Sequence, residues 1–333
     1  MALDLVVTRT PLRLSFAGGG TDLEEFYRKD GGQVISTAIN QFVYVTVKRH
    51  NKNLNPETFR LNYFDSEHVD SVDEIKNHII REVLRFLDFD DPLYISTVAD
   101  VPANSGLGSS SAFAVGLLNA IHLFKGEKVS VAQLAEEACE IEIGRLNNPI
   151  GKQDQYATAF GGLNRIVFRE DGAVLMEPMR LTAKKVEEIF SNILIFSTKI
   201  NRAASTVLYQ QSQETKSGIN FDRLRQIRDH CSQATDNFRN NFDPYVLGKI
   251  LAETWAVKRT LSSQISNSDI DGWYDAARQA GAIGGKICGA GGGGYLMFIV
   301  PPGKQESVKA ALPGLVEAPF KYEPLGTQLV VAR

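Results

Sequence analysis

The spacing of apolar residues changes character near residue 107. Before it, β-branched and aromatic residues come in short runs, LDLVVTRTPLRLSF, VISTAI and FVYVTVKR, which predict strands with natural breaks at Gly31-Gly32 and Asn40-Gln41. Between the first two runs, GGGTDLEEFYRK predicts a glycine turn and a short helix, with Asp22 at its start and acidic residues in its first turn. VDEIKNHIIREVLRFL carries Ile75, Ile79, Val83 and Leu87 at four-residue spacing, an amphipathic helical pattern, and PLYISTVADVP reads as a strand.

From Leu107 the helical period takes over. Helices are expected at about 109–125 and 130–145, with a shorter one in QDQYATAF, then a hairpin turning at REDGA. The strand NILIFST opens a second half with helices at about 202–214, 220–240, 244–262 and 269–280. Strand, glycine loop and strand follow in GGKICGAGGGGYLMFIVP, then an amphipathic QESVKAALPG and the strands VEAPFKY and GTQLVVAR. The pattern predicts an α+β protein of two domains, 1–185 and 186–333, with LTAKKVEE near 182–188 as the crossing.

Composition narrows the class of partner. With 333 residues, 43% hydrophobic and 23% charged, the chain can bury a substantial core. Its 36 basic and 39 acidic residues give no electrostatic case for nucleic-acid or membrane binding, so a small-molecule partner is expected. Cys139, Cys231 and Cys288 lie far apart without metal-ligand spacing, and the five histidines show none either. No secretory pattern opens the chain and no apolar run reaches the roughly 18 residues that span a bilayer, so a cytoplasmic location is expected. The sequence leaves a homodimer open.

Three glycine-rich loops carry the candidate chemistry. PANSGLGSSSA, residues 102–112, runs directly into an apolar helix that must be buried. The start of a buried helix presents free N–H groups and a partial positive charge, glycines allow close approach of an anion, and serine hydroxyls can meet phosphate oxygens or magnesium. The loop is no Walker A motif, since none of the Gly-Lys pairs precedes Ser or Thr. GAGGGG at 289–294 matches a dinucleotide fingerprint in spacing, yet the strand YLMFIV follows where that fingerprint needs a helix. In LSFAGGGTDL, residues 14–23, three glycines precede Asp22, a carboxylate suited to sugar hydroxyls. An ordinary helix cap would read the same way.

In this order, TPLRLSFAGGGTDL, PANSGLGSSSA and GKICGAGGGG resemble the three motifs of the GHMP small-molecule kinases, over nearly the whole chain. Within that superfamily, LRLSFAGGGTDL and GKQDQYATAFGGLN are most similar to the D-glycero-D-manno-heptose 7-phosphate kinases that serve GDP-heptose synthesis. The resemblance implies an N-terminal α/β domain with a left-handed crossover, a C-terminal ferredoxin-like domain, and an active site between them that uses ATP and Mg2+.

Phosphoryl transfer requires a polyphosphate cradle, a metal ligand set and an oriented acceptor hydroxyl. By the resemblance, Pro102, Asn104, Ser105, Gly106, Leu107, Gly108, Ser109, Ser110 and Ser111 form the cradle, while Ser110 and Glu142 hold magnesium. Asp154 is the general base or hydroxyl-orienting carboxylate, and Arg13 keeps it ionised and stabilises phosphoryl charge. Gly19, Gly20, Thr21 and Asp22 face the sugar, with Gly291 and Gly292 of the third loop beside it. Galactokinases carry Glu-His where Gly19 and Gly20 stand, which argues against galactose. Lys199 and Arg202, between a strand and a helix, are candidate anchors for a sugar phosphate. The expected reaction phosphorylates the anomeric hydroxyl of heptose 7-phosphate; alternatives are kinases of galactose, fucose or mevalonate, or a sugar and nucleotide sensor on the same fold.

Overall fold

The β-branched residues that open the chain build one large sheet, seen in a computed structural model that describes residues 3–200 and 204–333. The sheet holds β1 (Leu5–Ala17), β2 (Gly32–Arg49), β3 (Phe59–Asn62), β4 (Ser66–Val69), β5 (Leu93–Ala99), β6 (Leu163–Phe168) and β7 (Val174–Pro178). A second, antiparallel sheet holds β8 (Ile193–Ser197), β9 (Gly284–Ile287), β10 (Tyr295–Ile299) and β11 (Val316–Glu317), in the order β11-β8-β10-β9. The last strand, β12 (Gln328–Ala332), returns to the first sheet, whose order is β12-β1-β2-β5-β3-β4. Only β3 and β5 run parallel there, and β2 is long enough for its first half to pair with β6 and its second with β5.

The helices are α1 (Glu24–Asp30), α2 (His78–Phe86), α3 (Ser109–Phe124), α4 (Val131–Cys139), α5 (Gln153–Phe160) and α6 (Ala183–Phe190). Beyond them come α7 (Ala204–Lys216), α8 (Phe221–Arg239), α9 (Pro244–Lys258), α10 (Ser268–Gln279) and α11 (Gln305–Ala310). Among the described residues no helix is long and apolar enough to cross a membrane.

Three sequence expectations are corrected, and a fourth, the domain division, meets a strand that crosses it. Asn40-Gln41 does not end a strand: the β1–β2 register steps from Pro11↔Phe42 to Leu12↔Ile39, so the pair bulges within one strand, opposite a proline that has no N–H to give. The helix expected from Ile75 starts at His78, because the buried Glu67 carboxylate accepts the N–H groups of Lys76 and Asn77, and Asn77 Oδ1 then caps Ile80 N–H. The helix expected over 130–145 is α-helical only to Cys139 and continues as a π-helix, Glu140–Arg145. The division at 185/186 falls inside α6, and β12 crosses back over it by pairing with β1. A buried β1 edge is completed in this way rather than left open.

Both sheets contribute to a continuous interior. Along β10, Tyr295, Met297 and Ile299 face a core shared with β1, β2 and α3, whereas Leu296 and Phe298 face a second cluster with Trp255 and Ile270. This is the period-2 alternation of a strand covered on both faces. The apolar α3 is buried along nearly its whole length against β1 and β2, with Thr8 Oγ1 donating to the Gly116 carbonyl at 2.8 Å. Its N-terminus, Gly108, is thereby fixed against Arg13 and Asp154.

Candidate active site

The N-terminus of α3 opens onto a cleft of about 300 Å³, walled by the first and third glycine loops, α5 and the end of α9. Gly108 is the N-cap, with φ of 77°, and no side chain caps the first turn. A Cβ at this position would be strained by that φ and would stand 3.1 Å from Arg13 Cγ and 3.4 Å from Asp154 Oδ2. The glycine therefore lets the uncapped helix end lie directly against the two charged side chains. Uncapped N–H groups at the end of a 16-residue buried helix suit an anionic ligand.

Arg13, on β1, is 2% exposed and grips Asp154, on α5, through two hydrogen bonds of 2.7 Å, from Nε to Oδ1 and from Nη2 to Oδ2. Its Nη1 donates to the Gly106 carbonyl at 2.6 Å. All three contacts need the planar fork of a guanidinium. The Asp154 side chain keeps 23% exposure, so its carboxylate is oriented by the arginine and open to the cleft.

Glu142 is carried by the π-helix and is fully buried. Its Oε1 accepts from Ser110 Oγ at 2.5 Å, and its Oε2 accepts from Ser111 Oγ at 2.6 Å and Gln155 Nε2 at 2.7 Å. Burial raises its pKa, the three hydrogen bonds oppose that rise, and Asp154 adds to it. A carboxylate so placed gains from a cation alongside it. Ser110 and Glu142, hydroxyl and carboxylate oxygens in contact at the cleft wall, are a hard donor set that fits magnesium. Gln155 was not singled out from sequence; it follows Asp154 directly and ties α5 to the π-helix.

On the opposite wall, Asp22 accepts from Gly20 N–H at 2.9 Å and Gln153 N–H at 3.2 Å, so it braces the first loop against α5 rather than capping α1. Burial raises its pKa, the two backbone hydrogen bonds lower it, and Asp154 raises it. Ser15 Oγ and Gln153 Oε1, also on this wall, are buried without hydrogen-bond partners among the described residues. Orphaned polar atoms lining a cleft suit a ligand rich in hydroxyls.

The structure brings together Arg13, Gly19, Gly20, Asp22, Asn104, Gly106, Gly108, Ser109, Ser110, Ser111, Glu142 and Asp154 on one cleft. It places others elsewhere. Thr21 is fully buried, its hydroxyl spent on the Gly18 and Gln33 carbonyls, so it holds the first loop and does not reach a ligand. Leu107 is a core residue and Pro102 lies exposed outside the cleft. Ser105 is buried with an unpartnered Oγ, under the loop. Gly291 and Gly292 pack on Ile265, and it is Gly289 and Ala290 that line the cleft. Lys199 has left-handed backbone, φ 56°, after β8 and is not on the wall; Arg202 lies outside the described residues.

Two cations of the wall escaped the sequence reading. Lys286, in the fully buried β9, donates to the Ser15 and Phe16 carbonyls at 2.8 and 3.2 Å. Lys258 ends α9 and is 6% exposed. Burial lowers the pKa of Lys258 to about 7 and of Lys286 to about 8. Their signal is legible afterwards: Lys258 follows Leu247, Leu251 and Trp255 on the buried helical face, and Lys286 stands in an otherwise apolar strand.

Comparison with known proteins gives this arrangement its context. The family described as GHMP kinases N terminal domain matches residues 75–162, and GHMP kinases C terminal matches 234–317. The chain is 30% identical over 319 residues to a D-glycero-alpha-D-manno-heptose 7-phosphate kinase from Campylobacter jejuni, with 92% of each covered. It is 23% identical to a galactokinase from Thermotoga neapolitana, over 95% of each. A crystal structure of a D-glycero-D-manno-heptose 1-phosphate kinase from Bacteroides thetaiotaomicron matches 98% of the chain and 99% of its own, with a TM-score of 0.79 and 25% identity. With both family regions in place and the two-domain α+β architecture matching theirs, the chain belongs to the GHMP kinases and is an ATP-dependent phosphotransferase.

Proposed function

We propose that the protein transfers the γ-phosphoryl group of ATP to the anomeric hydroxyl of a phosphorylated heptose, D-glycero-D-manno-heptose 7-phosphate, giving the 1,7-bisphosphate and ADP. The observation that carries this reading is the forked Arg13–Asp154 pair, set against the uncapped N-terminus of α3. The acceptor oxygen forms a bond to γ-phosphorus as the bond to the β,γ-bridging oxygen breaks, and the hydroxyl proton passes to Asp154. Arg13 fixes that carboxylate and offsets charge on the transferred group. The α3 N–H groups and the Ser109 hydroxyl cradle the polyphosphate, while Ser111 holds Glu142 in place. Ser110 and Glu142 would hold Mg2+, which would supply positive charge to offset that of the polyphosphate. The Campylobacter jejuni relative named for heptose 7-phosphate supports the acceptor, as does glycine at position 19, which leaves room beside Ser15 and Gln153. The product suits a cytoplasmic step ahead of GDP-heptose formation for surface glycans.

A coupled ADP-release assay with heptose 7-phosphate, free heptose, mannose, galactose, fucose and mevalonate tests this. Turnover is expected with heptose 7-phosphate above all others. Preference for an unphosphorylated sugar would overturn the acceptor assignment; binding of ATP and sugar without turnover would make the protein a sensor.

A further inference from the structure

The cleft contains a buried lysine amine with no carboxylate against it among the described residues. Lys258 Nζ makes a single hydrogen bond, to the Gly289 carbonyl at 2.5 Å, and among the described residues it has no ion pair. Once protonated it has three donors, so two remain for whatever enters the cleft. A lysine held at 6% exposure without a counter-ion is costly, and a hydrophobic side chain would pack better on the buried face of α9. The groups around it include Lys286 and Cys288 from β9 and the residue after it, Arg13 from β1 and Asp22 from the first glycine loop, while Asp154 on the same cleft is held by Arg13. Asp22 is already bound by two backbone N–H groups.

Position identifies what the site lacks. Gly289 packs on Gly106, where a Cβ would stand 2.6 Å from the Gly106 Cα, and the Gly106 carbonyl is the one that Arg13 Nη1 grips. Lys258 and Arg13 are thus anchored to the carbonyls of two touching loops, beside Asp154. We propose that Lys258 is a ligand for a phosphoryl dianion at this corner of the cleft, and that its amine takes a proton from solvent as the dianion binds. This rests on the kinase reading above, and two phosphoryl groups could reach the corner: the terminal group of the nucleotide or the phosphate borne by the acceptor. Burial holds the amine of the free enzyme near pKa 7, so at pH 8 it is mostly neutral, and a dianion beside it reverses that balance.

The test is calorimetric titration of the full chain at pH 8 in two buffers of different ionisation enthalpy, comparing wild type, Lys258→Met and Lys258→Arg. The titrants are Mg·AMP-PNP, Mg·ADP, heptose 7-phosphate and free heptose. Wild type is expected to take up protons with the titrant that reaches Lys258. Lys258→Met should bind that titrant at least about tenfold more weakly with less proton uptake, as expected for loss of a charge-assisted hydrogen bond. Lys258→Arg should keep the affinity without the proton. An effect confined to AMP-PNP and absent with ADP assigns the terminal phosphoryl; one confined to heptose 7-phosphate and absent with heptose assigns the acceptor phosphate. Unchanged affinity and proton count in Lys258→Met overturn the proposal, as does wild-type proton uptake in Lys258→Arg, which decides the matter if the methionine variant does not fold. Failure of wild type to bind heptose 7-phosphate would instead count against the acceptor assignment, and the AMP-PNP and ADP pair would still test Lys258.

Discussion

Arg13 and Asp154 are 141 residues apart in the chain and share two hydrogen bonds of 2.7 Å. Nothing in the local sequence of either marks the pair; motif resemblance named both, and packing of α5 against β1 is what joins them. Asp154→Asn keeps the shape but sets an amide N–H₂ against a guanidinium that can only donate. Turnover is expected to fall by about 10²–10⁴-fold, the range for loss of a positioned acid–base group, with affinity for an ATP analogue retained. Steady-state kinetics and titration with AMP-PNP check this, and near-normal turnover would remove Asp154 from the reaction. Lys258 and Lys286 show the converse limit of reading residues singly. Each looks like an ordinary surface cation until the helix or strand around it is seen to be buried.

At the scale of elements, α3 and α4 explain how the cradle is held. The apolar period of α3 was legible from Ser109 to Phe124, because a helix buried all round has an unmistakable composition. The π-helix after α4 was not, since EIEIGR fits an α-helix equally well by period. At the far end of α3, His122 is buried between Glu127 and Glu137, at 2.6 and 2.7 Å. Burial lowers the His122 pKa, but the hydrogen bonds to Glu137 and then Glu127 outweigh this and leave it above its ordinary 6.5. A folded pKa above the unfolded one means that the native state binds the extra proton. The stabilisation is therefore complete below about pH 6.5 and disappears as pH rises through the folded value. His122→Gln should lower Tm most near pH 6 and progressively less toward pH 9, measured by thermal melts across that range. A constant Tm difference would mean that the histidine acts by shape alone.

At the scale of the whole molecule, β12 closes the edge of β1. Val6↔Ala332, Val7↔Val331, Thr8↔Leu329 and Arg9↔Gln328 are paired, and Arg9 Nη2 donates to Gln328 Oε1 at 2.8 Å. Removing residues 328–333 should lower Tm and promote self-association through the bared β1 edge, visible by thermal melting and size-exclusion chromatography. A variant as stable and monodisperse as the full chain would show that β12 is dispensable. The sequence by itself determined the α+β class, the three glycine loops, their order and the helix that follows the second loop. These follow from local period and composition, which act over a few residues. Only the tertiary structure decided that β12 crosses the expected domain boundary, that Thr21 holds its loop while Asp22 braces α5, and that Lys258 shares the cleft with Arg13 without a counter-ion among the described residues. Burial and partnership of a polar side chain depend on segments far away in sequence, and no local pattern encodes which of those segments arrive.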